Sequence, residues 1–237
     1  MSYEVKQAPL ELRTAAIIPA YLVETYWWAY IHPNAVSLFE RQWLVNLILW
    51  GNFSRLRDAA LAELGQNIPG KTLQVACVYG DFSTRLAARI AANGWLDIVD
   101  VLPIQLRNLS KKLPPEARAS SYLRNSADLG FADASYDQAI LFFLLHEQPE
   151  AVRKQTLSEA LRVVKPGGKL VIVDYHLPRR LHPLRYLFRH ILGWLEPFAL
   201  DLWNHDVATW LPTQVRPEQI TKRTYFGGLY QKLVISV

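Results

Sequence analysis

The spacing of apolar and polar positions changes character along the chain. Residues 34–51 form an apolar stretch compatible with a helix, with Asn34 placed to cap it and Gly51 to end it, and a second helix is expected over 52–65. The run Leu73-Gln74-Val75-Ala76-Cys77-Val78-Tyr79 is short, rich in β-formers and without strong alternation. That is the pattern of a strand covered on both faces, and Gly80 ends it. A helix is expected over 83–93, closed by Gly94, then a strand over 97–101 and a helix over 104–112. Strands at 121–125 and 136–145 follow, then a helix at 149–164 stopped by Lys165-Pro166-Gly167-Gly168, and a fifth strand at 169–175. Residues 221–237 read as two strands joined at Gly227-Gly228.

Strands alternating with helices predict an α/β, Rossmann-like architecture: a mostly parallel seven-stranded sheet with helices on both faces and a terminal hairpin adding an antiparallel edge strand. In such sheets ligands sit beyond the carboxyl ends of the strands, where the strand order reverses. That rule gathers Tyr79, Gly80, Asp81, Asp100, Asn125, His146, Asp174 and His176 around one crevice. Residues 1–66 read as an N-terminal helical extension or lid, and 67–237 as the main domain, with a helical insertion at 177–215.

Composition narrows the class. Apolar residues make up 51% and charged residues 20% of 237, which is globular. The single cysteine, Cys77, excludes an internal disulfide and any zinc site built on several thiolates. No stretch approaches the roughly 20 apolar residues that a spanning helix needs, and the first dozen residues lack the apolar core of a signal peptide. Lys and Arg number 26 against 21 Asp and Glu, a net charge of +5 that suits an anionic surface. No module interleaves basic and aromatic residues, so nucleic acid is not an expected partner.

The order of strand, glycine turn, helix and acidic strand end, followed by Leu161-Arg162-Val163-Val164-Lys165-Pro166-Gly167-Gly168-Lys169-Leu170, resembles the class I S-adenosylmethionine-dependent methyltransferases over residues 70–237. The Lys-Pro-Gly-Gly turn and the later Gly-Gly hairpin resemble their quinone-methylating branch. The first loop departs from that pattern. Where the family carries an acidic residue and three glycines, this chain has Gln74, Ala76, Val78 and Gly80, and Asn125 replaces an aspartate that accepts from the adenine amino group. Asp100 matches the residue that holds the ribose hydroxyls.

That loop, with Val78-Tyr79-Gly80-Asp81, Tyr26-Trp27-Trp28-Ala29-Tyr30-Ile31-His32-Pro33 and Phe39-Glu40-Arg41-Gln42-Trp43-Leu44-Val45-Asn46, resembles the rhodoquinone biosynthesis family, which descends from quinone methyltransferases. The resemblance implies transfer of the amino group of S-adenosyl-L-methionine to ubiquinone in place of a ring methoxy group, with Mn2+ as the metal. It implies cofactor contacts from Gln74, Ala76, Val78, Gly80, Asp100, Asn125, Ser126 and Phe142. A conventional quinone methyltransferase, or a quinone- or membrane-binding protein without chemistry, are the alternatives.

Each candidate has a plainer role beside the functional one. Tyr79 and Asp81 flank the retained glycine and are candidates for catalysis, Asp81 or His146 as the base that keeps the amine neutral; Asp81 equally suits the cap of the next helix. His146, Glu147, Asp174 and His176 follow adjacent strands, and their imidazole and carboxylate groups suit Mn2+, with His146, Asp174 and His176 the expected ligands; a histidine here is also common without metal. Tyr26, Tyr30 and His32 would stack on a quinone or simply pack. Residues 177–195 hold four Arg and no acid beside an apolar arc, which reads as membrane-surface contact by a cytoplasmic protein peripherally associated with the inner membrane, or as a helix packed on its own core.

Overall fold

A computed structural model of the protein describes residues 18–26 and 41–237. Tyr30, His32 and the expected helix cap Asn34 lie outside the described residues.

Among the described residues, α1 (Ala20–Thr25), α2 (Gln42–Ile48) and α3 (Phe53–Leu64) precede the sheet. Then come β1 (Ile68–Val75), α4 (Phe82–Ala87), β2 (Ile90–Asp100), α5 (Pro103–Lys112), β3 (Ala119–Leu123) and β4 (Tyr136–Phe142). They are followed by α6 (Glu150–Val163), β5 (Val164–Tyr175), α7 (Leu184–Leu195), α8 (Asp201–Asn204), β6 (Ile220–Tyr225) and β7 (Tyr230–Ser236). The strands form one seven-stranded sheet in the order β3-β2-β1-β4-β5-β7-β6. All pairings from β3 to β5 are parallel, and β7 runs antiparallel to both neighbours. This is the Rossmann-like sheet expected of the class I methyltransferase fold.

The central strands are apolar on both faces because both are covered. Leu73 and Val75 of β1, Ile140 and Leu141 of β4, and Val171 and Ile172 of β5 are buried in one core with Phe53, Leu56 and Leu61 of α3. At about 25 cal/mol per Å² of apolar surface removed from water, such runs drive the burial of the sheet between its helices.

Two expectations are corrected. The helix expected over 83–93 stops at Ala87, and 90–100 is strand. Gly94 is no helix stop: it pairs with Gly70, and a Cβ there would stand 2.2 Å from the Ile68 carbonyl oxygen. The glycine permits a close approach of two backbones inside the sheet. The terminal hairpin stands at the edge of the sheet as expected: β7 pairs antiparallel with β5, and β6 forms the edge, antiparallel to β7.

Candidate functional site

β1 lies between β2 and β4, so the strand order reverses beside it. Beyond the carboxyl ends of these strands lies a cavity of about 660 Å3, within the range of small-molecule sites. Its lining is mostly apolar. The loop after β1 supplies Ala76, Cys77, Val78 and Tyr79, and the end of β2 supplies Asp100 and Leu102. Asn125 and Ser126 follow β3, Phe142, His146 and Glu147 follow or end β4, and α2 and α7 add Leu44, Ile48, Phe188 and Leu192.

The loop after β1 is held from below. Gln74 is buried, and its Nε2 donates to the Ala76 carbonyl (2.9 Å) and to Ser83 Oγ (2.8 Å). It therefore supports the loop and is absent from the cavity wall. Ala76 has φ 72°, a left-handed conformation that costs a non-glycine residue about 1 kcal/mol or more. This is a backbone conformation that glycine adopts freely. Gly80 keeps φ +80°, and a Cβ there would meet the Phe53 ring at 3.0 Å, so it serves packing and does not line the cavity.

Asp100 is buried and accepts the Cys77 N–H at Oδ2 (2.7 Å) and the Leu102 N–H at Oδ1 (2.8 Å). Burial raises its carboxyl to about 6, although these backbone donors oppose the rise. Each oxygen retains acceptor capacity, so the group fits a vicinal diol presented from the cavity. Tyr79 lines the wall, its hydroxyl accepting from Gln105 Nε2 at 3.0 Å. Asn125 Oδ1 accepts the Ala127 N–H (2.9 Å), and Ser126 Oγ joins Thr156 and Gln148. Phe142 stacks on Phe82 with centroids 4.4 Å apart.

Asp81 is corrected. It makes no cap hydrogen bond and does not line the cavity. Both its oxygens take Arg57 Nη1 at 2.9 Å, and Oδ2 takes Arg85 Nε at 2.5 Å. Burial pushes its carboxyl up, but Arg85 and Arg57 outweigh that and hold it below its ordinary value, which disqualifies it as a base near neutrality.

The expected metal ligands are dispersed. Asp174 is fully buried and takes the backbone N–H groups of Leu145 and Tyr175 at 2.8 Å, and His146 Nδ1 donates to its Oδ1 at 3.0 Å. His176 turns away, donating from Nδ1 to the Gly228 carbonyl at 2.7 Å, and burial lowers its imidazole. Neither Asp174 nor His176 lines the cavity, and no cluster of three potential ligands exists among the described residues. As arranged, His146, Asp174 and His176 do not fit a manganese site.

His146 acquires a different character. Burial alone would lower its imidazole, but Asp174, Glu196 and Glu147 raise it to about 9. It stands as a buried cation beside three carboxylates, with Nε2 3.8 Å from Glu147 Oε1. Tyr26, expected to meet substrate, is instead buried against Phe198 and Leu102 and faces Glu196, while Tyr21 of α1 lines the cavity. Glu196 and Tyr21 were not candidates from the sequence. The one available signal for Glu196 is a lone acid directly after a basic, apolar helix.

The model of the ubiE/COQ5 methyltransferase family matches residues 43–204. The demethylmenaquinone methyltransferase of Lysinibacillus sphaericus is 28% identical over 189 residues, covering 73% of this chain and 80% of that one. The enzyme of the same name from Halalkalibacterium halodurans is 25% identical over 222 residues, covering 84% and 88%. Among solved structures, the N-methyltransferase NodS of Bradyrhizobium japonicum in complex with S-adenosyl-L-homocysteine superposes with a TM-score of 0.54 at 15% identity, covering 77% of this chain and 83% of that one, a likeness of fold.

Proposed function

The chain belongs to the ubiE/COQ5 methyltransferase family, and we propose that it uses S-adenosylmethionine to modify the ring of a prenylated quinone held at a membrane surface. The observation that carries this reading is the shared cavity, in which Asp100 and His146 follow the two strands flanking β1 and an apolar wall is made by α2 and α7. Asp100 would hold the ribose hydroxyls, with Asn125 and Ser126 toward the adenine and Val78 and Phe142 as apolar contacts. The sulfonium supplies an activated carbon when the cofactor is bound. His146, as a fixed cation oriented by Asp174, would stabilise negative charge developing on a ring oxygen. The apolar wall would accept the prenyl chain.

The relatives named as demethylmenaquinone methyltransferases favour the methyl group as the group transferred. One observation favours a second reading, in which the amino group replaces a methoxy group of ubiquinone to give rhodoquinone. The family's acidic loop residue is the neutral Gln74, and its Nε2 is spent on Ala76 and Ser83. Without a carboxylate beside it, a bound ammonium group loses its proton more easily, and a neutral amine is what attack on the ring requires.

The large apolar residues exposed around the same wall suit a lipid interface. Trp43 (60% exposed) and Leu47 belong to α2, and Tyr186 and Trp194 (83%) to α7, with the basic Arg180 and Arg189 nearby. No helix among the described residues is long and apolar enough to cross a membrane.

One experiment separates the readings. The protein is incubated with demethylmenaquinol or with ubiquinone and with cofactor labelled separately at the methyl carbon and at the amine nitrogen. Methyl label in the quinone supports methyl transfer, and nitrogen label supports amine transfer. Quinone binding with neither label supports a protein that binds without chemistry and overturns the proposal.

A further inference from the structure

α7 borders two cavities. Phe188 and Leu192 line the large one described above, and Arg185, Tyr186 and Arg189 line a second, which is closed on its other sides by Leu177, Leu200 and Asn204. The second cavity holds about 150 Å3, roughly ten times the space that one water needs, which is room for a phosphate group. Two guanidinium groups, a phenol and an amide face it, all able to donate, and no carboxylate does. Arg185 and Arg189 stand four residues apart on α7, where like charges are neighbours and repel. Arg185 Nη1 donates to the Pro178 carbonyl at 2.7 Å, which fixes the guanidinium and leaves its other N–H groups available. Arg189 has no hydrogen bond or ion pair among the described residues. The acids that follow in the chain are engaged elsewhere: Asp201 pairs with Arg153 at 3.5 Å and Asp206 with Lys222 at 2.7 Å.

We propose that this second cavity binds the phosphate of an anionic phospholipid and so seats α7 at the headgroup level of a bilayer. A guanidinium fork matches two phosphate oxygens at once, and the bound anion removes the repulsion between the two arginines. The Tyr186 hydroxyl and the Asn204 amide add donors from either side. The surroundings favour a lipid over a free phosphate. Leu181 (97% exposed), Leu187 and Trp194 stand uncovered on and beside the same helix, and a soluble anion would leave them so, whereas acyl chains cover them. Because α7 also walls the large cavity, a lipid held at Arg185 and Arg189 would fix that wall against the membrane. The inference extends the membrane part of the reading above to a defined site, and it needs none of the chemistry.

The test measures binding of dihexanoyl-phosphatidylglycerol, kept below its micelle concentration, to the full chain by calorimetry. Dihexanoyl-phosphatidylcholine, glycerol phosphate and inorganic phosphate are titrated in parallel. The parent should bind the phosphatidylglycerol at least about tenfold more tightly than each of the other three, the scale of one charge-assisted hydrogen bond. Arg189→Lys keeps the charge and loses the fork, so it should weaken this binding by roughly fivefold to tenfold. Asn204→Ala should weaken it by roughly threefold, and Arg180→Lys, outside the cavity, should leave it unchanged. Thermal midpoints should match the parent's, since Arg189, Asn204 and Arg180 are exposed. Equal affinity for phosphatidylcholine would show that the chains bind and the phosphate does not, and equal affinity for inorganic phosphate would show a site for a soluble anion; either overturns the proposal. So does parental affinity in both Arg189→Lys and Asn204→Ala, which would reduce the arginines to diffuse surface charge, and so does a parent that binds no lipid. Neither quinone nor S-adenosylmethionine is present, so failure here leaves the proposed chemistry standing, and failure of that chemistry leaves this site standing.

Discussion

His146 Nδ1 lies 3.0 Å from Asp174 Oδ1, a buried imidazole on a buried carboxylate. The donor follows β4 and the acceptor ends β5, so the pair joins two neighbouring strands just behind the cavity. Because Asp174 is pinned by backbone N–H groups, the ring orientation is set and Nε2 is left for the cavity side.

That pair makes stability depend on pH. The folded imidazole is raised to about 9, against an ordinary 6.5. Its stabilising contribution is therefore complete below about pH 6.5 and is lost as the pH climbs through 9. Thermal midpoints of the parent should fall over this window, and His146→Gln should flatten the slope. A parent curve that is level from pH 6.5 to 9 would show that the imidazole is neutral. Asp174→Asn should cost several kcal/mol, because it leaves a buried cation without its partner.

Asp100 makes cofactor affinity pH-dependent in the opposite sense. Its carboxyl is raised to about 6, and only the ionised form offers all its acceptors to a ribose. Affinity for S-adenosylmethionine, read by calorimetry, should weaken as the pH falls below about 6. Asp100→Asn should weaken it by roughly tenfold to a hundredfold at pH 7.5, the scale of a lost charge-assisted hydrogen bond. Asp100→Ala should in addition destabilise the fold, because the Cys77 and Leu102 N–H groups lose their acceptor. Undiminished affinity in the Asn variant would remove Asp100 from the cofactor site.

The first loop can be relaxed at one atom's cost. Ala76→Gly should relieve the left-handed strain at φ 72° and raise stability by about 0.5–1 kcal/mol, a shift of a few degrees in thermal midpoint. It should not speed the native reaction, nor should Val78→Gly, because these side chains form part of the cavity wall. A faster Val78→Gly variant would show that the loop merely decayed.

Membrane contact rests on the outer side of α2 and α7. Arg180→Glu with Arg189→Glu should weaken pelleting with anionic liposomes by about 2 kcal/mol of lost attraction plus repulsion, with an unchanged thermal midpoint, since both arginines are exposed. Arg185 is a poor choice for this test because it donates to the Pro178 carbonyl. Trp194→Ser should weaken binding to neutral liposomes too. Undiminished pelleting of both variants would assign α7 to another partner.

Period and punctuation along the chain were enough to specify the architecture, because both act locally. Unalternating apolar runs must be covered on both faces, as 73–75 and 136–142 are, although the expected strands 73–79 and 136–145 end early and their last residues turn into loops at the cavity; strands that alternate with helices must lie parallel. The same logic placed Asp100 and His146 at strand ends near the cavity, where the structure has them. Local signals failed where the decisive contact came from elsewhere in the chain. Gly94 resembles a helix stop until the Ile68 carbonyl lies against it, and Asp81 resembles a cap or a base until Arg57 reaches it from α3. His176 shares its strand end with Asp174, yet Gly228 draws its ring the other way. The charge on His146 and its coupling to Glu196 were decided only by tertiary structure, because desolvation and Coulomb interaction depend on distance in space and on the exclusion of water, neither of which is encoded in separation along the chain.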